Sequence, residues 1–384
     1  MKKQIKIKIA FVLIVLFVVV LVIVGVALEN TKNINAIESV AKANVSATNE
    51  EIDPEVEAIM QLDASGDKVP VPEGYVGSKA KGENEIDTGY VIYEGTEEVT
   101  DSNVEQAKTT RNQYVWIPVP DASKMYGTDS NGKKWGKLYD FATSSTDENY
   151  DELTGAYPLN WSETNGVMNI SSNTGSMEPR ITDNSDYTLK EFVLGVDSKH
   201  EFLMQLEKEF NNMIKSVEKY GGFYIGRYET VRLGSIWTPI GLTWSYSGVV
   251  KGKASMDNVS WYSMYQFCKE LKRGNNKVDT GLIWGSQWDR TLMWLVESKN
   301  LTKDTLFTAK QQRLYVANIF ELFSDCLEWT MEGTINTRIL RAGKIENNFF
   351  NPSIAYSSLI TRNGYPTFKG SRYLGGRATL YIKP

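Results

Sequence analysis

A long uninterrupted hydrophobic segment lies near the N-terminus. The twenty residues from Ile9 to Leu28 contain no charged residue and no proline, and a helix of that length spans about 30 Å, the hydrocarbon thickness of a bilayer. Lysines precede the segment and Glu29 follows it. The positive-inside bias therefore places residues 1–8 in the cytoplasm and the rest of the chain outside the cell. We predict a transmembrane helix at 9–28 that anchors the protein in the cell membrane by a single pass.

A cleaved signal peptide is the alternative interpretation of this segment. Its cleavage site would follow the small residues around Ala27, but the hydrophobic region of a signal peptide is usually only about 7–15 residues long. The next residues, 29–68, are polar and rich in Ala, Asn, Ser and Glu. We interpret residues 29–68 as a stalk or linker that precedes a folded domain at 69–384.

Alternating hydrophobic and aromatic residues predict strands near the start of this domain. Residues 90–93 form one such run and residues 113–120 form a second. The second run contains prolines, which cannot donate to a backbone ladder, so we expect it at the edge of a sheet. Residues 121–186 are rich in Ser, Thr, Asn and Gly, a composition that is typical of long surface loops or an insertion.

Three segments have the 3.6-residue periodicity of amphipathic helices. The first covers residues 200–220 and is followed by two glycines that suit a left-handed helix end. The second begins after Ser260, a suitable N-cap, and stops at Gly274. The third follows Ser286 and Asp289, which resemble a capping box.

Further strands are predicted directly after the first helix, at 223–229, and at the end of the chain, at 377–382. Helices that precede irregular β structure form an α+β pattern rather than alternating βα units. The sequence contains no internal repeat that would indicate a solenoid. We therefore predict one α+β domain after the stalk.

Charge and rare residues exclude several classes of function. The chain of 384 residues has 42 basic and 47 acidic residues, and four of its lysines precede the hydrophobic segment. The acidic body disfavours nucleic-acid binding, which depends on clustered Lys and Arg. The single histidine, His200, excludes a multi-histidine metal site, and we expect it at the surface or at a helix cap. Cys268 and Cys326 can form at most one disulfide.

Short motifs follow one another in a recognisable order between residues 222 and 384. They are GFYIGRYE at 222–229, NVSW at 258–261 with FCKEL at 267–271, GLI at 281–283 with SQWD at 286–289, NIFEL at 318–322 with EWT at 328–330, RILRAG at 338–343, and SR at 371–372 with GR at 376–377. This order resembles the formylglycine-generating enzyme, or sulfatase-modifying factor, family. The resemblance implies an elaborated C-type lectin-like fold, to which residues 69–120 would contribute the opening β-hairpin.

The resemblance also implies where catalytic cysteines should lie. Enzymes of this family oxidise a substrate cysteine with their own copper-binding cysteine pair, which falls in the segment that corresponds to residues 344–376. This segment contains no cysteine, and thiolate is the soft ligand that Cu(I) requires. We therefore expect no formylglycine synthesis and assign no catalytic residue, no cofactor and no metal.

Aromatic and polar residues are frequent in the same segment, 344–376. In C-type lectin-like folds the corresponding loops form the ligand face, and Tyr, Asn and Arg are common in adaptable recognition surfaces. The ligand would be a glycan or a protein outside the cell. The residues predicted to form this binding surface are Tyr356, Arg362, Tyr365, Phe368 and Arg372.

Three functions stay open on the sequence alone. The first is a non-catalytic binding or adhesion module on the outer face of the membrane. The second is an enzyme of the same superfamily with a changed mechanism, although one histidine excludes a two-His-one-carboxylate iron site. The third is a structural protein of the cell envelope. Asp325, Glu328 and Glu332 could support acid–base chemistry, but we expect them to stabilise the fold through hydrogen bonds and ion pairs.

Overall fold

The computed structural model describes most of the chain after residue 57. The described residues are 58–128, 132, 134–141, 157–158, 198–237, 243–253, 258–302, 315–322, 327–333, 337–341, 362–365 and 374–384. The predicted transmembrane segment, 9–28, lies outside them. No helix within the described ranges has both the length and the hydrophobicity needed to cross a bilayer.

The described residues form four α-helices. They are α1 (Val104–Thr110), α2 (Lys199–Tyr220), α3 (Trp261–Glu270) and α4 (Gly285–Glu297). The helix predicted at 200–220 is confirmed as α2: Ser198 caps it by accepting a hydrogen bond from the Glu201 N–H at 3.1 Å, and Gly221, with φ 77°, ends it. His200 is exposed in the first turn of α2, as expected.

Helix α3 begins where predicted but ends at Glu270 rather than at Gly274, and the start of α4 also differs from the prediction. Ser260 caps α3 by accepting a hydrogen bond from the Ser263 N–H at 3.2 Å. The predicted capping box at Ser286 and Asp289 is wrong, because α4 begins one residue before Ser286. Gln287 satisfies the start of α4 instead, since its side-chain oxygen accepts a hydrogen bond from the Trp284 N–H at 3.0 Å.

Two sheets contain most of the longer strands. The strands are β1 (Ala58–Leu62), β2 (Lys68–Pro72), β3 (Tyr75–Gly77), β4 (Val91–Glu94), β5 (Gln113–Pro118), β6 (Tyr126–Thr128), β7 (Lys134–Gly136), β8 (Tyr139–Asp140), β9 (Tyr157–Pro158), β10 (Gly222–Gly226), β11 (Val231–Trp237), β12 (Thr243–Gly248), β13 (Val278–Leu282), β14 (Tyr315–Val316), β15 (Ile319–Phe320), β16 (Leu327–Gly333), β17 (Arg338–Arg341), β18 (Arg362–Tyr365), β19 (Leu374–Gly376) and β20 (Ala378–Ile382). The main sheet has the order β13-β20-β10-β5-β4-β3 and is antiparallel throughout. A second sheet has the order β18-β17-β16-β19, in which β16 and β19 run parallel. Helices with a largely antiparallel set of strands confirm the predicted α+β class.

Strand β5 lies in the interior of the main sheet, so the edge position predicted for residues 113–120 is wrong. It pairs with β10 on one side and with β4 on the other. Pro118 is the last residue of β5 and lies opposite Gly222. A proline at the end of a strand removes no hydrogen bond from the middle of the ladder, so it is compatible with an interior strand.

Two regions that the sequence placed outside the core belong to the folded unit, Glu57–Pro384. Strand β1 falls within the segment assigned to the stalk, yet it pairs with β2 along its whole length. Residues 121–186 were predicted to be long surface loops or an insertion, but among the described residues of this range Met125, Leu138 and Phe141 are fully buried. These hydrophobic residues are isolated among polar ones, so no periodicity in the sequence revealed their burial.

Buried arginine–carboxylate pairs join the strands. The guanidinium of Arg377 donates to Glu328 in β16 at 2.7 and 3.1 Å, and Arg341 of β17 donates to Glu332 at 2.9 Å. All four side chains are essentially inaccessible to solvent. Glu328 and Glu332 therefore have the structural role that the sequence led us to expect, whereas Asp325 lies outside the described residues.

Candidate functional site

A pocket of about 220 Å³ lies at the β13 edge of the main sheet. Strands β13 and β20 form its floor, and helices α2 and α3 contribute its walls. Asp279 is paired with Tyr381 across the two strands, and Gly281 is paired with Thr379. Because alternate residues of a strand share a face, these four residues lie on the same side of the sheet, and all of them line the pocket.

Four polar side chains form a connected group on the wall, which we call the Glu209 network: Gln205, Glu209, Tyr265 and Lys269. Lys269 Nζ lies 2.5 Å from Glu209 Oε1. The Tyr265 hydroxyl donates to the Glu209 carboxylate, with distances of 2.8 and 3.0 Å to its two oxygens. The Gln205 amide donates to the Tyr265 oxygen at 2.8 Å. Each helix supplies two residues at i, i+4 spacing, which places them on one face.

The two tyrosines of the pocket are hydrogen-bond donors at neutral pH. Burial, followed by the charge of Glu209, raises the pKa of Tyr265 well above its usual value. Burial also raises the pKa of Tyr381, with smaller contributions from Asp279 and Glu209. A phenol that keeps its proton cannot act as a general base, so these side chains can bind and orient a ligand but not abstract a proton from it.

A second ion pair lies beside the first. Lys272 Nζ is 2.8 Å from Asp279 Oδ1. Between the two pairs, the Thr280 hydroxyl donates to the Lys269 carbonyl and accepts from the Lys272 N–H, both at 3.1 Å. These bonds tie the end of α3 to β13 and hold both lysines at the pocket. Asn212 of α2 also lines the pocket, and its side-chain amide has no hydrogen-bond partner among the described residues.

Gly281 leaves the floor of the pocket open. A β-carbon placed on Gly281 would meet no described atom within 4 Å, and its φ lies outside the left-handed region. Neither backbone conformation nor crowding therefore requires glycine at this position. Glycine inside a strand often marks a place where another group approaches the backbone closely. The missing side chain contributes directly to the volume of the pocket.

The structure describes two of the five residues predicted to bind a ligand. Arg362 and Tyr365 belong to β18, the outer strand of the second sheet, where their backbones pair with Arg341 and Arg338. Tyr365 is half-buried, and its ring packs edge-on against Trp329 with the centroids 5.8 Å apart. Tyr365 does not line the pocket.

The other three predicted residues, Tyr356, Phe368 and Arg372, lie outside the described residues. The binding surface predicted from the C-terminal segment, 344–376, therefore stays a prediction. The structure brings two of its members into one strand and does not test whether the five share a surface.

The sequence contained only weak signals for the pocket. Gln205, Lys208, Glu209 and Asn212 follow i, i+3, i+4, i+7 spacing, but a polar stripe of this kind normally faces solvent. Gly281 interrupts a short β-prone run, which by itself suggests a bulge or a close approach. Only the packing of α2 and α3 over β13 brings these residues to one site.

Cys268 is fully buried in α3. Burial raises the pKa of its thiol to about 12, and its sulfur lies 3.5 Å from the Thr230 hydroxyl. A thiol of this kind packs as a small hydrophobic group rather than reacting or binding a metal as thiolate. Cys268 is a free cysteine that forms no disulfide, and Cys326 lies outside the described residues.

Comparisons with known proteins returned no match: no family model, no curated protein and no solved structure is similar to this chain. The resemblance to the sulfatase-modifying factor family therefore rests on the motif order in residues 222–384 alone. Within the described ranges, no group of three or more His, Cys, Asp or Glu residues is arranged to hold a metal ion.

Proposed function

We propose that this protein is a membrane-anchored binding module that holds a small polar ligand outside the cell without transforming it. One observation carries the proposal: the pocket above Gly281, with a floor left open at this glycine and walls of hydrogen-bonding side chains. A concave site with a few convergent polar groups is the usual form of a small-molecule binding site.

The arrangement of the pocket favours binding over catalysis. Each of its carboxylates faces an ammonium group, at 2.5 Å for Glu209 and Lys269 and at 2.8 Å for Asp279 and Lys272. Covalent catalysis needs a nucleophile within hydrogen-bonding reach of a base. The Thr280 hydroxyl donates instead to a backbone carbonyl. The Tyr265 hydroxyl does donate to the Glu209 carboxylate, but burial raises its pKa well above the usual value, so it keeps its proton and is a poor nucleophile.

Features of the sequence support the other parts of the proposal. Residues 9–28 have the length and hydrophobicity of an anchor, with lysines on the cytoplasmic side. The motif order in 222–384 resembles the sulfatase-modifying factor scaffold, and residues 344–376 lack the cysteine pair of its enzymes. We therefore propose a C-type lectin-like scaffold that has retained binding without the copper chemistry.

A glycan and protein array tests this function. The full chain is purified in a detergent whose headgroup contains no sugar and is applied to the array. We expect retention of at least one component, and we expect Gly281→Val to weaken it about tenfold or more by filling the pocket floor. Glu98→Gln, in an exposed ion pair with Lys79, serves as the control and should bind like the wild type.

Three outcomes would contradict the proposal. The first is that no component is retained. The second is that Gly281→Val binds every component as the wild type does, while Arg362→Ala loses binding; the site would then lie in the C-terminal segment. The third is conversion of a peptidyl cysteine to an aldehyde by the purified protein, which would establish an enzyme.

A further inference from the structure

We propose that the pocket recognises the hydroxyl groups of a single neutral hexose unit. This inference rests on the binding function proposed above and specifies the ligand of the same pocket. It depends on three properties of the Glu209 network and its surroundings: unused hydrogen-bonding capacity on adjacent atoms, charges that are already balanced, and a floor that is open at Gly281.

The first property concerns the Glu209 carboxylate. Its Oε1 atom accepts from Lys269 at 2.5 Å, from Tyr265 at 2.8 Å and from Gln205 at 3.2 Å. Its Oε2 atom is approached by the Tyr265 hydroxyl alone among the described residues, at 3.0 Å. A carboxylate oxygen has two lone pairs. Oε2 therefore has room for a further donor from a ligand.

The neighbouring ammonium group of Lys269 has an unused hydrogen-bond donor. Lys269 Nζ donates to Glu209 Oε1 and, at 3.1 Å, to the Tyr265 oxygen. An ammonium group has three N–H donors, so one N–H has no acceptor among the described residues. An unused acceptor and an unused donor thus lie side by side. A hydroxyl group both donates and accepts, and two adjacent hydroxyls on a sugar ring can satisfy both atoms without breaking the ion pair.

The balanced charges favour a neutral ligand over an ionic one. A carboxylate or ammonium on the ligand would have to compete with Glu209 for Lys269, or with Asp279 for Lys272. Separating a partly buried pair leaves one charge without its partner, which is unfavourable. Lys208 is the additional charge of the pocket, but it is exposed at the rim, where solvent and salt screen it.

The size and the floor of the pocket indicate one ring. Its volume of about 220 Å³ is smaller than the roughly 300–1,000 Å³ of pockets for drug-sized ligands. Gly281 contributes only backbone atoms to the floor, beside the side chains of Thr379 and Tyr381, while Glu209 and Lys269 line the walls. A hexose ring can lie over the gap in the floor at Gly281 and turn its hydroxyl groups toward the polar side chains around it.

Calorimetry with the full chain, in the same sugar-free detergent, tests the inference. The probes are the methyl pyranosides of glucose, galactose, mannose and N-acetylglucosamine, with glycine as a charged probe of similar reach. We expect saturable binding of at least one pyranoside and no binding of glycine. Glu209→Gln should weaken that binding about tenfold, the loss typical of one hydrogen bond to a charged group. Glu98→Gln is again the matched control.

Gly281→Ala provides a second variant that does not disturb the network. Its added methyl group has space in the fold but occupies the floor, so binding should fall while the unfolding temperature is maintained. Oligosaccharides that end in the recognised hexose distinguish the source of the ligand. If the oligosaccharide binds at least as tightly as the methyl pyranoside, the natural ligand is a glycan terminus. If the oligosaccharide binds more weakly, the natural ligand is a free sugar. Both outcomes agree with hexose recognition.

The contrary outcomes separate this inference from the proposed function. If the array shows a partner that Gly281→Val loses, but no pyranoside binds or glycine binds in their place, hexose recognition is wrong and the binding function stands. Pyranoside binding that Glu209→Gln and Gly281→Ala leave unchanged also contradicts the inference, because the sugar would then bind elsewhere. If no partner is retained on the array and no pyranoside binds, both proposals are wrong.

Discussion

Glu83 and Arg227 form a buried ion pair in the loops that adjoin the main sheet. Their side chains approach to 2.8 Å, and the Arg227 guanidinium also donates to the Tyr93 oxygen and to Asn318 Oδ1, both at 3.0 Å. Burial alone would raise the pKa of Glu83, but the charge of Arg227 and the hydrogen bonds from Tyr93 and Arg227 outweigh it and lower this pKa. The ionised form of Glu83 is therefore the one that stabilises the fold.

We expect Glu83→Gln to lower the free energy of unfolding near pH 7 by about 3–5 kcal/mol, because Arg227 would stay buried without a countercharge. The pKa of Glu83 is lowered from 4.5 on folding. Its contribution is thus complete above pH 4.5 and is lost as the pH falls through the folded-state pKa. Denaturant unfolding of both proteins as a function of pH measures the difference, which should shrink in acid.

Glu98→Gln is the control for this series, since Glu98 pairs with Lys79 in a solvent-exposed position. We expect it to change the free energy of unfolding by no more than about 1 kcal/mol. A difference between Glu83→Gln and the wild type that stays constant across the acid range would contradict the assigned role of the Glu83 charge.

Cys268 gives a second test at the scale of one residue. Its thiol is buried, and burial raises its pKa to about 12, so the reactive thiolate is scarce and inaccessible. In a Cys326→Ser variant, which leaves Cys268 as the single thiol, we expect no labelling by a maleimide under native conditions and full labelling after denaturation. Rapid native labelling would show that α3 opens or that the thiol is exposed.

At the level of elements, the pocket depends on how α2, α3 and β13 meet. Helix α2 packs against β10 and β20, and α3 packs against β13. The Glu209 network then bridges the two helices above the sheet. No single element contains the site, because each contributes only one side of it. Substitutions on the floor can therefore alter the pocket without breaking an element.

Gly281 lies on β13, and Gly89 packs against Ala317, just after β14. We expect the two glycines to respond in opposite ways when each is replaced by alanine. Gly281→Ala meets no steric conflict, and we expect it to raise the free energy of unfolding by about 0.4–1 kcal/mol by restricting the unfolded chain. Gly89 has φ 94°, and a β-carbon there would clash with the backbone carbonyl of Ala317. We expect Gly89→Ala to destabilise the protein by more than Gly281→Ala stabilises it.

Denaturant unfolding of the two glycine variants beside the wild type provides the measurement. Equal destabilisation by both substitutions would contradict the open floor at Gly281. Retained stability of Gly89→Ala would contradict the close approach between Gly89 and Ala317.

For the whole molecule, buried ion pairs connect units that are distant in sequence. The pair between Arg377 and Glu328 joins the region before β20 of the main sheet to β16 of the second sheet. Arg341 of β17 pairs with Asp289 of α4, and Asp289 Oδ2 accepts a hydrogen bond from the Tyr139 N–H at 2.9 Å. Such pairs make the sheets and α4 depend on one another.

A double-mutant cycle on Arg377 and Glu328 measures this dependence. We expect Arg377→Met alone to lower the free energy of unfolding by about 3–5 kcal/mol, because Glu328 would be left as an isolated buried charge. The double variant Arg377→Met/Glu328→Leu should be more stable than Arg377→Met, since neither charge is then left unpaired. If the two single effects simply add in the double variant, the residues do not interact as described.

The predicted anchor is tested on the intact chain in membranes. We expect the full chain to stay with the membrane during alkaline extraction, because about twenty hydrophobic residues span the hydrocarbon core. A variant in which residues 9–28 are deleted should be released. The mass of the mature N-terminus distinguishes an anchor from a cleaved signal peptide, and cleavage after Ala27 would contradict the anchor.

The sequence was sufficient for features that depend on local spacing. The periodicity of residues 200–220 and the glycine after them predicted α2, and Ser260 correctly marked the start of α3. The final strand was also predicted, at 377–382, and is observed as β20. These elements are encoded by residues a few positions apart, through side-chain periodicity and caps that act within one turn.

Contacts between distant segments were decided by the tertiary structure. The sequence of β5 shows its prolines but does not show that this strand lies between two others. Asp289 resembles a capping residue in the sequence, whereas in the structure it pairs with Arg341 of β17. The Glu209 network is the extreme case, because Glu209 and Lys269 are unremarkable surface-type residues in separate helices. Tertiary packing determines which residues pair with a buried or clustered charge. Because these partners lie far apart in the sequence, no local pattern predicts them.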